Sequence, residues 1–129
     1  MNETYWDIHD SVFAGAVIDG DEVVLRIEPA IVFLTEEDAR EAKATHQQSI
    51  LVRIRGIIGK LDLTPLNEQS ILWSGSVSLH ERVIDGVIHL PIHFKGPCRL
   101  RLFLVGSGTE VDISGQEIHI EPTSPPIKL

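Results

Sequence analysis

The sequence predicts an all-β protein, an antiparallel sandwich of roughly eight to ten strands, from period-two hydrophobic alternation and closely spaced turn dipeptides. Alternation puts apolar side chains on one face of each strand. Turn residues such as Asp19-Gly20 and Asp85-Gly86 then reverse the chain, because glycine adopts positive φ without steric cost. Two sheets packed face to face would bury both apolar faces. A jelly roll or a partly closed barrel satisfies the same pattern.

In chain order, the first element is a hairpin. A two-residue turn at Asp19-Gly20 sets Ile18 against Asp21, Ala16 against Val23 and Ala14 against Leu25. One face then carries Val12, Ala14, Ala16, Val23, Leu25 and Ile27, and the other carries Phe13, Val17 and Val24 as an apolar patch. Such a patch suits a partner, a second copy of the chain, or cover by the N-terminal arm. The second strand continues to Leu34, with Pro29 expected to bend or divide it. Residues 36–44, rich in Glu and Ala behind Thr35 as N-cap, read as a short surface helix. A further strand follows over Ile50 to Ile58. From Val77 to Glu121 the pattern reads as a five-strand meander with turns at Asp85-Gly86, Lys95-Gly96-Pro97, Ser107-Gly108 and Ser114-Gly115. In that register Leu79 faces Ile92, Ile92 faces Leu100, and Leu104 faces Val111. Glu81 interrupts the apolar face, so a bulge or an early strand end is expected there. Pro91 calls for an edge or a bulge, and Pro122 to Leu129 for an extended arm. No internal repeat or boundary divides residues 1–129, which read as one domain.

Composition excludes several classes of function. The chain of 129 residues carries 19 acidic and 11 basic residues, a net charge of -8 that repels nucleic-acid phosphates and anionic membranes. The longest uncharged apolar stretch, Val12 to Ile18, is too short to span a bilayer. The start, Met1 to Asp7, has no basic-then-apolar leader pattern, so the expected location is cytoplasmic. Cys98 is the lone cysteine, which rules out an internal disulfide and any paired-cysteine metal site.

The candidate binding surface is the polar face of the meander, where His80, Arg82, His89, His93, Arg99 and Arg101 project together. The expected neighbours are Arg82 with His89, Ser78 with His93, and His93 with Arg99. Such a patch would take a carboxylate, a phosphate or an acidic partner surface. Glu110, Asp112, Glu117, His119 and Glu121 fall on the same face, and ordinary cross-strand ion pairing is the competing explanation. His89 and His93 lie about 13 Å apart along one strand, too far to share a zinc ion, so neither metal nor cofactor is expected. His9-Asp10-Ser11 holds the residue types of a hydrolase triad, but extended neighbours point to opposite faces, so a turn or capping role is expected. Stacking on a sugar would draw on Tyr5, Trp6, Trp73 or Phe103, with burial of Trp73 between the sheets as the expected alternative.

The opening Trp6-Asp7-Ile8-His9-Asp10-Ser11 before an Asp-Gly hairpin, and the closing Val111-Asp112-Ile113-Ser114-Gly115-Gln116-Glu117-Ile118, resemble the ends of some small uncharacterised bacterial all-β proteins. That resemblance implies a role like that of immunity or accessory proteins that bind a protein partner, and it carries no functional residues across. The expected function is a non-enzymatic binding module for a protein partner or a small anion. A small enzyme with a histidine-lined site, and a self-assembling structural subunit, are the other two classes.

Overall fold

The computed structural model describes residues 3–35, 44–61, 65–67 and 69–129. Its strands are β1 (Glu3–Asp7), β2 (Val12–Asp19), β3 (Glu22–Thr35), β4 (Ala44–Arg55), β5 (Ser70–Leu79), β6 (Arg82–Asp85), β7 (Val87–Leu90), β8 (Ile92–Leu104), β9 (Glu110–Pro122) and β10 (Ile127–Lys128). A 3₁₀ turn spans Pro65–Asn67. The surface helix expected at 36–44 lies outside the described residues except for Ala44, which opens β4. No helix among the described residues is long and apolar enough to cross a membrane.

The fold is all-β, and of the expected forms it takes the barrel. Strands β4, β9, β8, β5, β2 and β3 pair in that order, and a β3–β4 pairing closes the six-stranded ring. Closure gives these strands partners on both edges, which an open sandwich cannot do. Strand β3 makes this possible because it is 14 residues long and changes partner along its length. Its first half pairs with β2 and its second half with β1, while β4 follows it throughout. The change falls at Pro29, where the β3–β4 register shifts between Ile27 and Ala30, so the proline bends the strand without dividing it.

The core is the barrel interior. Val23, Leu25, Ile27, Ile50, Val52, Ile54, Leu72, Leu100, Leu102, Leu104, Ile118 and Ile120 are wholly buried. Each such side chain contributes about 1.5–3 kcal/mol of transfer free energy. Trp6 of β1 and Ile8 just after it add to the core, and Leu66 packs on it from the 3₁₀ turn.

Several registers differ from expectation. The first hairpin turns at Gly20-Asp21, with Asp19 opposite Glu22 and Ala16 opposite Leu25. A bulge between Phe13 and Ala16, with Gly15 at φ 111°, then flips the strand so that Phe13 enters the core. The outward patch therefore loses its largest member, although Val17 stays 62% exposed. Asp85-Gly86 is not a hairpin turn. Strand β6 pairs with β5 through a turn at His80-Glu81, and β7 pairs with β1. Glu81 thus marks an early strand end, as its position in the alternation implied.

Lys95-Gly96-Pro97 and Ser114-Gly115 also lie inside strands, so the expected five-strand meander is replaced. Strands β8 and β9, 13 residues each, form one long hairpin in which Leu102 faces Val111. The Ser107-Gly108 region does turn the chain, closed by the Leu104 N–H donating to Thr109 O at 2.9 Å. The expected Ile50–Ile58 strand starts earlier, at Ala44, and ends at Arg55, with an isolated bridge from Ile58 to Ser114. Residues 123–129 form the extended arm, which lies along β4 and adds β10 to its edge.

Candidate functional site

The six residues proposed from sequence all lie at the surface, but they do not form one patch. His80 sits in the β5–β6 turn at φ 58°. His93, Arg99 and Arg101 follow one another along β8. His93 faces His119 across the β8–β9 pair, and Ser78 faces Arg99, so the expected Ser78–His93 and His93–Arg99 neighbours are not formed. The error follows from the missing turn at Lys95-Gly96-Pro97, which had placed His93 and Arg99 on separate strands.

The arginines of β8 are neutralised by β9. Arg99 makes a bidentate pair with Asp112, its Nε at 2.8 Å and Nη2 at 2.6 Å from the two carboxylate oxygens. That hydrogen bonding holds the Asp112 carboxyl below its usual range and pushes the guanidinium of Arg99 up. Arg101 pairs with Glu110 and lies over the Phe103 ring, 5.3 Å from its centroid. These are the cross-strand ion pairs that the acidic residues of β9 suggested, and they occupy both guanidinium groups.

Two concave regions among the described residues take in the candidates His93, Arg82 and His89. In the first, His93 Nε2 lies 2.8 Å from Glu117 Oε2, and the His93 ring stacks on His119 at 4.8 Å between centroids. The hydrogen bond from His93 holds the Glu117 carboxyl below its usual range. Arg53 and Arg55, outward on β4, complete a cavity of about 180 Å³ with these three side chains. Both arginines approach Glu22, at 3.6 Å each. Sequence reasoning missed Arg53 and Arg55, because only the order β4-β9-β8 brings them beside His119 and His93.

The second region unites two expected neighbours by a different route. Arg82 and His89 are not paired across a hairpin, yet both line a cleft of about 420 Å³ between the β5–β6 hairpin and the β1–β7 pair. Leu79, Ile84, Val87 and Ile92 supply its apolar wall, and Tyr5 completes it. The Tyr5 and His89 rings stack at 4.8 Å and 22°. Tyr5 donates its hydroxyl to Glu3 Oε2 at 3.0 Å, a bond that raises the phenol above its ordinary value. His89 Nε2 lies 3.9 Å from Glu3 Oε1. Tyr5 was visible only as a scarce aromatic, since nothing in the sequence shows that β1 sits between β3 and β7.

The other candidates resolve simply. Ser11 is wholly buried and faces away from His9 and Asp10, whose side chains meet at 3.3 Å in solvent, so the three assemble no triad. Cys98 is buried, and desolvation pushes its thiol up, so it behaves as a small hydrophobe. Among the described residues, no group of three or more His, Cys, Asp or Glu side chains is placed to hold a metal ion. The aromatics differ from expectation. Trp6 is wholly buried, whereas Trp73 is 55% exposed and rests against Phe103 at 5.4 Å. The reason is the local register: Leu72 turns into the barrel, which sends Trp73 outward beside exposed Ile71 and Val105. Comparison with known proteins finds no matching family, no matching curated protein and no matching solved structure.

Proposed function

We propose that the protein is a non-enzymatic binding module whose cleft between the β5–β6 hairpin and the β1–β7 pair takes a small carboxylate with an apolar body. The observation that carries this reading is Arg82. Arg26 donates to Ala14 O, Arg53 and Arg55 approach Glu22, Arg99 holds Asp112, and Arg101 holds Glu110. Arg82 alone among the described arginines makes no side-chain hydrogen bond or ion pair to a described residue, in a chain with eight more acidic than basic residues. A guanidinium beside an apolar wall favours a planar anion, which it holds by two parallel N–H···O bonds. The stacked Tyr5 and His89 rings offer a flat surface for an aromatic or aliphatic body.

Calorimetric titration with phenylacetate and hexanoate, each against the matching alcohol, tests the reading. Saturable binding of a carboxylate near or below about 1 mM is expected, weakened at least tenfold, or about 1.4 kcal/mol, in Arg82→Gln. Equal binding of acid and alcohol, or no effect of Arg82→Gln, overturns it.

A second reading, a small enzyme, has one specific observation in its favour. His93 meets the carboxylate of Glu117 beside a concave surface, the arrangement an acid–base histidine requires. Arg53 and Arg55 would orient an anionic substrate there. Hydrolysis of simple phosphate and carboxylate esters, measured for the parent chain and for His93→Gln, decides it. Turnover abolished by the substitution supports the enzyme, and indistinguishable background rates remove it.

A further inference from the structure

Another concavity, lined by different residues, lies where the C-terminal arm crosses β4. It encloses about 310 Å³ and is lined by Glu28, Pro29, Gln48, Ser124 and Ile127 among others. Gln48 follows the inward-facing parity of Ile50, Val52 and Ile54 along β4, and it is one of only two buried polar residues among the described positions. Its exposure is 8%. Its Nε2 donates to the Ser124 carbonyl at 2.8 Å, which fixes the amide so that Oε1 is the atom left over. That oxygen is buried and has no hydrogen-bond partner among the described residues.

A buried acceptor without a donor costs about 1–3 kcal/mol, so it marks a place where a donor belongs. The charge nearby indicates which kind. Glu28 lines the same cavity and has no hydrogen bond or ion pair among the described residues. Among the described residues, no arginine, lysine or histidine lines it. Pro29 and Ile127 give the cavity an apolar side suited to methylene groups. A free acceptor, a free carboxylate and an apolar wall together match a group that carries N–H donors, a positive charge and an alkyl stem.

We infer that this cavity binds a primary alkylammonium group, which donates to Gln48 Oε1 and places its charge beside Glu28. The oxygen is covered in the present arrangement. A donor reaches it by rotation of the Gln48 side chain, whose one hydrogen bond among the described residues is to Ser124, so binding trades against the anchoring of the arm. The same ammonium chemistry occurs in free amines and in the lysine side chain of a partner protein.

The test is a titration of the full chain with n-butylammonium at fixed ionic strength, followed by ¹H–¹⁵N chemical shifts. Tetramethylammonium, which carries the charge without an N–H donor, is the control. Saturable shifts at the Gln48 side-chain amide, Ser49 and Ser124 are expected with n-butylammonium and not with the control. Glu28→Gln, at an exposed position where folding is secure, should weaken binding several-fold, and Gln48→Leu at least tenfold. The blocked lysine Nα-acetyl-lysine methylamide forms a second arm. Tighter binding than n-butylammonium assigns the site to a lysine side chain, and weaker binding assigns it to a free amine. Equal responses to n-butylammonium and tetramethylammonium would show mere screening of an acidic surface and overturn the inference. So would the lack of any saturable shift, which would mean that solvent alone serves the Gln48 oxygen, or unchanged affinity in Glu28→Gln.

Discussion

Ser11 shows how one small polar side chain can organise the meeting of three segments. It is wholly buried, and its Oγ accepts from Trp6 Nε1 at 3.1 Å and from the Ile31 N–H at 2.9 Å while donating to Asp7 O at 2.8 Å. The hydroxyl therefore ties the end of β1 to β3 and fixes the indole that fills this part of the core. A buried polar group left without its partner costs about 1–3 kcal/mol, and Ser11→Ala orphans the indole N–H and the Ile31 N–H together. Ser11→Ala is expected to lower unfolding free energy by about 2–4 kcal/mol on that basis, read from urea denaturation. It should also disorder the indole, read as lost near-ultraviolet dichroism of Trp6 in a Trp73→Phe background. A loss below about 0.5 kcal/mol, typical of an innocuous surface change, would show that the hydroxyl is not the tie. The sequence pointed to a structural role for His9-Asp10-Ser11 through the alternation of extended residues. It could not show that Ser11 faces a tryptophan five residues earlier, because that depends on the sharp turn in which Asp10 adopts φ 69°.

At the scale of elements, the alternating strands were mostly legible, whereas β1, the start of β5 and several of the turns were not, and for the turns glycine is the reason. An Asp-Gly or Ser-Gly pair announces that the chain needs unusual backbone freedom without saying for what. At Gly86, φ 73° serves to carry the chain from an edge beside β5 to an edge beside β1, not to close a hairpin. The hairpin turn next to it uses His80-Glu81, which carries no turn signature. Gly115 has yet another role. It is buried in the middle of β9, where a Cβ would lie 2.6 Å from Ile54 Cγ2 and 2.7 Å from Arg55 O. The absent side chain lets β9 approach β4 closely, and this approach sits on the ring of pairings that closes the barrel. Backbone cannot yield as a flexible side chain can, so Gly115→Ala is expected to cost about 1–3 kcal/mol or more. Gly108→Ala is the contrast, since a Cβ there meets nothing within 4 Å, and at φ 69° it incurs backbone strain alone. Thermal unfolding of the two variants checks the distinction. A Gly115→Ala loss no larger than that of Gly108→Ala would mean that β4 and β9 can part without cost. The candidate site was legible to the same degree as the turns. Arg82 and His89, expected as neighbours across an Asp85-Gly86 hairpin, instead line one cleft because β7 joins β1, a long-range pairing that no local pattern encodes.

For the molecule as a whole, the balance of charge predicts how stability depends on pH. The net charge of -8 at neutrality falls toward zero near the isoelectric point of about 5.1, which relieves self-repulsion as pH drops. Asp7 acts in the same direction. Its burial raises the carboxyl above its ordinary value, so the folded state favours the protonated form, and the penalty of the buried charge disappears as pH falls through that raised value. Asp112 and Glu117 act in the opposite direction. Arg99 and His93 depress their folded values, so their contribution is fully present above the unfolded values of about 3.9 and 4.3. It is lost as pH falls below those values through the depressed ones. The two groups of effects occupy different windows, the first above about pH 4 and the second below it. Unfolding free energy should therefore hold level or rise from neutral pH toward 5 and then fall steeply under more acid conditions. Asp112→Asn isolates the acid limb, because it removes the titrating group while leaving Arg99 an acceptor. Urea midpoints measured across this range should show a shallower decline below pH 4 in Asp112→Asn than in the parent chain, with the neutral-to-mild-acid limb unchanged. Parallel acid limbs would mean that the Arg99–Asp112 pair forms without linkage to folding, and that the β8–β9 ladder is held by its backbone pairing and by the apolar face beneath it.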